Sequence, residues 1–154
     1  MKKLVLIFSM AILMIYIAGC GTNASYEGKW IASAKSTWDG TIEVQKLDIK
    51  KNGDNYIITA STDKYKDVGK TFDESGKTAA WEIGKPQQPV SATLSKDGKL
   101  IINPFASLTY VKDSNSILGI NGENFKRETQ EELEKLKKEA AESFLKRYPK
   151  MTIQ

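Results

Sequence analysis

The sequence predicts a mainly-β domain, an antiparallel meander of about eight strands curled into a barrel or curved sandwich and followed by a C-terminal helix. Three observations predict it. From Tyr26 to Arg127 apolar and polar residues alternate with a period of two, the spacing at which successive strand side chains face opposite sides. Turn residues interrupt that pattern at the roughly 8- to 12-residue spacing of sandwiches and barrels. After Thr129 the period becomes that of a helix.

The segment Lys29-Trp30-Ile31-Ala32-Ser33-Ala34 reads as the first strand and Asp39-Gly40 as its turn. Thr41 to Lys50 is the second strand. Its apolar phase slips between Val44 and Leu47, which suggests a bulge or bend. Asn52-Gly53-Asp54 is a strong hairpin signal, and Tyr56 to Ser61 returns from it. Residues 62–77 are polar and charged, and only Lys64 to Val68 offers a strand there. Ala79 to Ile83 is the next strand, ended by Pro86 and Pro89. Val90 to Leu94 pairs with Leu100 to Asn103 across Lys96-Asp97-Gly98. Leu108 to Val111 pairs with Ile117 to Ile120, and Asn121-Gly122 leads into Asn124-Phe125-Lys126-Arg127. Thr129-Gln130-Glu131-Glu132 is a capping box. The helix it opens, over about 129–148, has an apolar stripe of Leu133, Leu136, Ala140 and Phe144 and stops at Pro149. Glu131–Lys135, Glu134–Lys138 and Glu142–Lys146 stand at the spacing of helix-surface ion pairs.

Ahead of the domain lie Met1-Lys2-Lys3 and a largely apolar run from Leu4 to Ile17, then Ile17-Ala18-Gly19-Cys20. A basic start, an apolar core and small residues at a cut site describe a secretory leader. The run is shorter than the roughly 20 residues a membrane span needs. Ile17-Ala18-Gly19-Cys20 resembles the bacterial lipobox. That resemblance implies a signal peptide over 1–19, diacylglyceryl on the Cys20 thiol and cleavage before Cys20. Residues 20–25 are then the lipidated N-terminus and tether, and residues 26–154 the domain. Each buried methylene contributes roughly 0.8 kcal/mol, so two or three acyl chains anchor durably. The expected location is the extracytoplasmic face of the cell membrane or outer membrane.

Composition narrows the chemistry. The formal charge is +4, and Lys2 and Lys3 leave with the leader, so the mature chain is near +2 and no nucleic-acid partner is expected. There is no histidine and one cysteine. Histidine-based general acid–base or triad catalysis is therefore absent, as are an intramolecular disulfide and the usual zinc sites. No cofactor, no metal and no catalytic residue is expected.

Gly28-Lys29-Trp30 on the first strand, with Arg127 ending the last, resembles the lipocalin-like (calycin) barrels. The resemblance implies structural roles for Gly28, Trp30 and Arg127: a basic side chain from the last strand over the Trp30 ring, with Lys126 in that place if the register differs by one. The Asp and Arg of a second lipocalin motif are not visible. Trp38, beside the Asp39-Gly40 turn, reads as a turn-packing ring or as a rim aromatic that contacts a ligand or partner. Trp81 reads as a core residue in mid-strand, Tyr65 as an exposed one, and both join Trp38 as candidate contacts. Tyr56, Tyr110 and Phe125 read as inward-facing. The expected function is binding, of a small apolar ligand or a peptide, by a membrane-anchored lipoprotein that is not an enzyme. The alternative is a protein-interaction lipoprotein, with an immunity, inhibitor or envelope-maintenance role and no small-molecule ligand.

Overall fold

The computed structural model describes residues 25–68 and 77–154. The expected leader, with Ile17, Ala18, Gly19 and Cys20, and the start of the expected tether lie outside the described residues, as does the stretch 69–76. Strands β1 (Gly28–Lys35), β2 (Ile42–Asn52) and β3 (Asn55–Asp67) form a meander. Strands β5 (Val90–Leu94), β6 (Lys99–Asn103), β7 (Ala106–Val111), β8 (Ser116–Leu118) and β9 (Asn124–Arg127) continue it. Antiparallel pairing of β3 with β5 from Asn55↔Thr93 to Ile58↔Val90 joins the two runs. Pairing of β9 with β1 at Trp30↔Arg127 and Ile31↔Lys126 closes the ring. The result is an eight-stranded antiparallel closed barrel, consistent with a lipocalin-like one. Closure removes the open sheet edges of an antiparallel meander.

Two strands stand outside the ring. Strand β4 (Thr78–Glu82) pairs with the far end of β3 from Lys64↔Glu82 to Asp67↔Ala79. The two-residue β10 (Thr152–Ile153) adds to β4 in parallel. The single strand β3 thus replaces the two pieces expected at Tyr56–Ser61 and Lys64–Val68. Its first half belongs to the barrel and its second half carries the side sheet.

The phase slip in β2 is not a bulge, because its register with β1 runs unbroken from Gly28↔Ile49 to Lys35↔Ile42. Both faces of this wall are covered instead. Leu47 and Ile49 point into the barrel with Trp30 and Ala32. Val44 points outward with Ile31, under the helix α1 (Gln130–Arg147). A strand buried on both faces loses clean alternation.

Helix α1 begins at Thr129, whose hydroxyl accepts the Glu132 amide at 3.1 Å. Glu131 and Glu132 occupy its first turn and Lys146 and Arg147 its last, the polarity the helix dipole favours. Leu136, Ala140 and Phe144 are buried, Leu136 with Ile31 and Val44 of the barrel's outer wall and Phe144 with Ala79 of the side sheet and Met151, each large side chain contributing about 1.5–3 kcal/mol. The expected i,i+4 ion pairs are replaced by a bridge from Glu132 to Lys126 at 3.0 Å and by a Gln130–Glu134 hydrogen bond at 2.9 Å.

One end of the barrel is filled. The Tyr26 hydroxyl donates to the Gly98 carbonyl at 2.8 Å and accepts the Tyr110 amide at 2.9 Å. Burial, its largest influence, raises the Tyr26 pKa above 10.0. Tyr26 meets Tyr56 and Tyr110 edge-on, with ring centres 6.2 and 5.8 Å apart. Trp30 Nε1 donates to the Tyr26 carbonyl at 2.8 Å. The opposite end, toward the β1–β2, β6–β7 and β8–β9 turns, is open.

Candidate functional site

Two of the concavities on the described domain bear on the candidate residues and the barrel interior. The first is the barrel's open end, a cup of about 190 Å³ whose wall includes Leu47, Ile58, Ile102, Leu108 and Phe125, with Gln45, Gln88 and Glu123 among its polar residues. An apolar cavity near ~150 Å³ holds a benzene ring, so the cup admits a small group. The second is an outer cleft of about 510 Å³ between the β1–β2 turn, the β3–β4 sheet and the C-terminal end of α1.

Trp38 and Tyr65 both line the cleft, and Trp81 lies behind Tyr65 with ring centres 5.0 Å apart. Three residues from separate parts of the sequence are therefore brought to one place. Their exposures decide between the two readings of Trp38 and differ from expectation for Tyr65 and Trp81. Trp38 is 95% exposed and does not pack the turn. Tyr65 is half-buried, because β3 continues through it and seats its ring 6.0 Å from that of Phe144. Trp81 is also half-buried, packed beside Ile31, Val44 and Leu136 under α1 rather than inside the barrel. Tyr56 and Tyr110 pack against the barrel interior and Phe125 is buried in it.

The turn that carries Trp38 is firmly built. Ser36 N donates to Thr41 O at 2.8 Å and Gly40 N to Ser36 O at 3.0 Å. Asp39 Oδ1 accepts the Thr41 hydroxyl at 2.8 Å and the Thr41 amide at 3.1 Å. Tyr148, just past α1, donates its hydroxyl to Asp39 Oδ2 at 3.0 Å, and Ile42 N donates to Ser143 Oγ at 3.1 Å. Burial raises the Asp39 pKa, but the hydrogen bonds from Thr41, Ser36 and Tyr148 outweigh it and hold the carboxyl at about 2. The Tyr148 pKa is raised, first by burial and then by its bond to Asp39. The indole is thus displayed on a fixed support.

The cleft mixes rings and charges. Phe144 and Tyr148 stand 4.9 Å apart, centre to centre, beside Tyr65. Lys64 pairs with Glu43 at 3.4 Å, Lys66 with Glu82 at 3.1 Å and Lys77 with Asp67 at 3.4 Å. Burial, then the nearby Glu134 charge, raises the Tyr65 pKa. Among the described residues no three acidic side chains converge as a metal site, and no helix is long and apolar enough to cross a membrane.

The closed end carries the other motif. Arg127 lies over Trp30, 3.8 Å from the ring centre. It donates to the Ser25 carbonyl at 2.9 Å and also to that of Glu27. Gly28 has φ +122° and faces the guanidinium. Lys126 points away and bridges to Glu132.

Sequence reasoning passed over Asp39, Phe144 and Tyr148 as site residues, and over Phe105, which is 94% exposed on the β6–β7 turn. An aromatic behind Pro104 in a tight turn was the available signal for Phe105, since a turn tip offers a ring little to pack against. Comparison with known proteins finds no matching family model, no matching curated protein and no matching solved structure.

Proposed function

We propose that the chain is an extracytoplasmic lipoprotein, held on a membrane through lipid on Cys20, whose barrel domain binds a polypeptide segment of a partner in the outer cleft. The observation that carries the binding reading is Trp38, 95% exposed on a hydrogen-bonded turn at the rim of a cleft of about 510 Å³. An exposed, pre-ordered indole loses little conformational entropy on binding, and buried Trp residues dominate interface energies. The rings of Tyr65, Phe144 and Tyr148 offer apolar contact, while the lysine–carboxylate pairs on the walls suit a segment of mixed polarity. The leader motif supports the anchor. The closed eight-stranded barrel, with Gly28 and Trp30 under Arg127, supports the resemblance to lipocalin-like domains.

A second reading rests on the cup of about 190 Å³. Its mostly apolar wall suits a small apolar ligand entering the open end. Its size and single aromatic, Phe125, make it the weaker site.

A random-peptide display screen on the full chain and its Trp38→Ala variant tests the first reading. Peptides enriched on the parent should bind the variant at least ~tenfold less, about 1.4 kcal/mol. Equal enrichment on both, or none on either, refutes the cleft reading. The anchor is tested separately by feeding cells labelled palmitate. Label should enter the parent chain and be absent from Cys20→Ser.

A further inference from the structure

Lys46 on β2 and Asp63 on β3 meet on the outer wall of the barrel. Lys46 Nζ lies 2.5 Å from Asp63 Oδ2, inside the usual 2.7–2.9 Å of a charged N–H···O bond. Asp63 Oδ2 nevertheless has no hydrogen-bond partner, so the amine meets the carboxyl out of hydrogen-bond alignment. The other oxygen, Oδ1, accepts the Gly84 amide at 2.9 Å. Glu128 Oε1 lies 3.9 Å from the same Nζ. The Asp63 side chain is 1% exposed, with Lys46 at 21% and Glu128 at 25%. The ladder neighbours Ile31 of Lys46 and Val44 of Asp63 belong to the apolar cluster under α1. Gly84 is needed here, since a Cβ would collide with the Thr62 backbone and hold its amide off Asp63.

An amine against a carboxyl group, an amide donor on one carboxyl oxygen, a second carboxylate near the amine and apolar cover are the parts of an amide condensation. We propose that Lys46 and Asp63 join in an intramolecular isopeptide bond. The ion pair first moves one proton from Nζ to Oδ2, giving a neutral amine and a carboxylic acid. Nζ then adds to Cγ, and the negative charge developing on Oδ1 faces the Gly84 N–H, the arrangement that stabilises an oxyanion. Glu128 takes one proton from the added nitrogen and returns it to the departing Oδ2 hydroxyl. The Nζ–Cγ bond has formed, the Cγ–Oδ2 bond has broken and one water has left. Glu128 ends as it began, and no oxidant or cofactor is consumed. The bond staples β2 to β3 where β3 leaves the barrel for the side sheet, in a chain whose single cysteine provides no internal disulfide.

Peptide mapping of the full chain tests this. Trypsin should skip Lys46 and release one branched peptide joining Ser36–Lys50 to Asn52–Lys64, lighter by one water than the two separate peptides. Lys46→Arg, which keeps the charge pair, should give no branched peptide. Glu128→Gln, compared at equal times after induction, should lower the branched fraction at least ~tenfold. Unbranched peptides from the parent chain overturn the bond. A branched fraction unchanged in Glu128→Gln overturns the role of Glu128.

Discussion

The guanidinium of Arg127 sits 3.8 Å from the centre of the Trp30 ring while hydrogen-bonding the carbonyls of Ser25 and Glu27. One side chain from the last barrel strand thus covers the largest core residue of the first strand and ties down the residues that enter it. Sequence separation across these contacts is about the length of the barrel, so the interaction records closure. A cation over an indole contributes about 0.5–2 kcal/mol, and hydrogen bonds to a charged donor about 1.5–3 kcal/mol.

Arg127→Ala should therefore cost about 2–4 kcal/mol in equilibrium urea unfolding. Arg127→Lys should recover only part, since an ammonium lacks the planar fork that reaches two carbonyls over a ring. A loss below about 0.5 kcal/mol for Arg127→Ala would sink the closure argument.

Gly28→Ala has two costs that can be separated. Its φ of +122° strains any side chain, and its Cβ would collide with the Arg127 guanidinium. In the Arg127→Ala background the collision vanishes and the strain stays. A double-mutant cycle should therefore show Gly28→Ala less costly by about 1 kcal/mol or more when Arg127 is absent. Strict additivity would mean that the two residues do not share this space.

The Asp39–Tyr148 bond predicts a pH window. Asp39 falls from 3.8 to about 2 in the fold, so its contribution is present above its unfolded pKa and is lost as pH falls from about 4 to about 2. The Tyr148 pKa is raised from 10.0, so its contribution holds below pH 10 and fades as pH climbs through the raised value. Asp39→Asn should lower stability at pH 7 by about 1–2 kcal/mol and flatten the parent's loss between pH 4 and pH 2. An unchanged acid profile in Asp39→Asn would remove the carboxylate from this role.

The barrel strands and the helix were legible because their signals are local: period-two alternation, Gly-containing turns and a Thr cap. The strand at Lys64 to Val68 was legible too, but its continuity with Tyr56 to Ser61 was not, because Asp63 is buried beside Lys46, from a strand made 17 positions earlier, and charge reads as exposure. Strand β10 has two residues and exists only because α1 delivers Met151 to the side sheet. For Trp38 the sequence left packing of the turn and exposure at a rim both open. The hydrogen bonds of Asp39, Thr41 and Tyr148 hold its turn, so the ring is not needed to pack it. The cleft is a tertiary product of the turn, the side sheet and the helix end, none of them neighbours in sequence.

With lipid on Cys20, the domain's orientation follows from Arg127. Ser25 is held at the closed end, and five residues reach at most about 18 Å, so the proposed anchor predicts that this end faces the membrane. Strand β1, eight residues long, rises about 20 Å along a tilted barrel wall before reaching the turn that carries Trp38. Cys20 acylated as proposed would leave no free thiol, so a single introduced cysteine could carry a spin label. A label at Asp113→Cys, on the closed-end β7–β8 turn, should collide with nickel chelated at lipid headgroups in proteoliposomes. A label at Trp38→Cys should collide several-fold less while remaining open to nickel in solution. The reverse order would place the cleft against the bilayer and leave a protein partner no access to it.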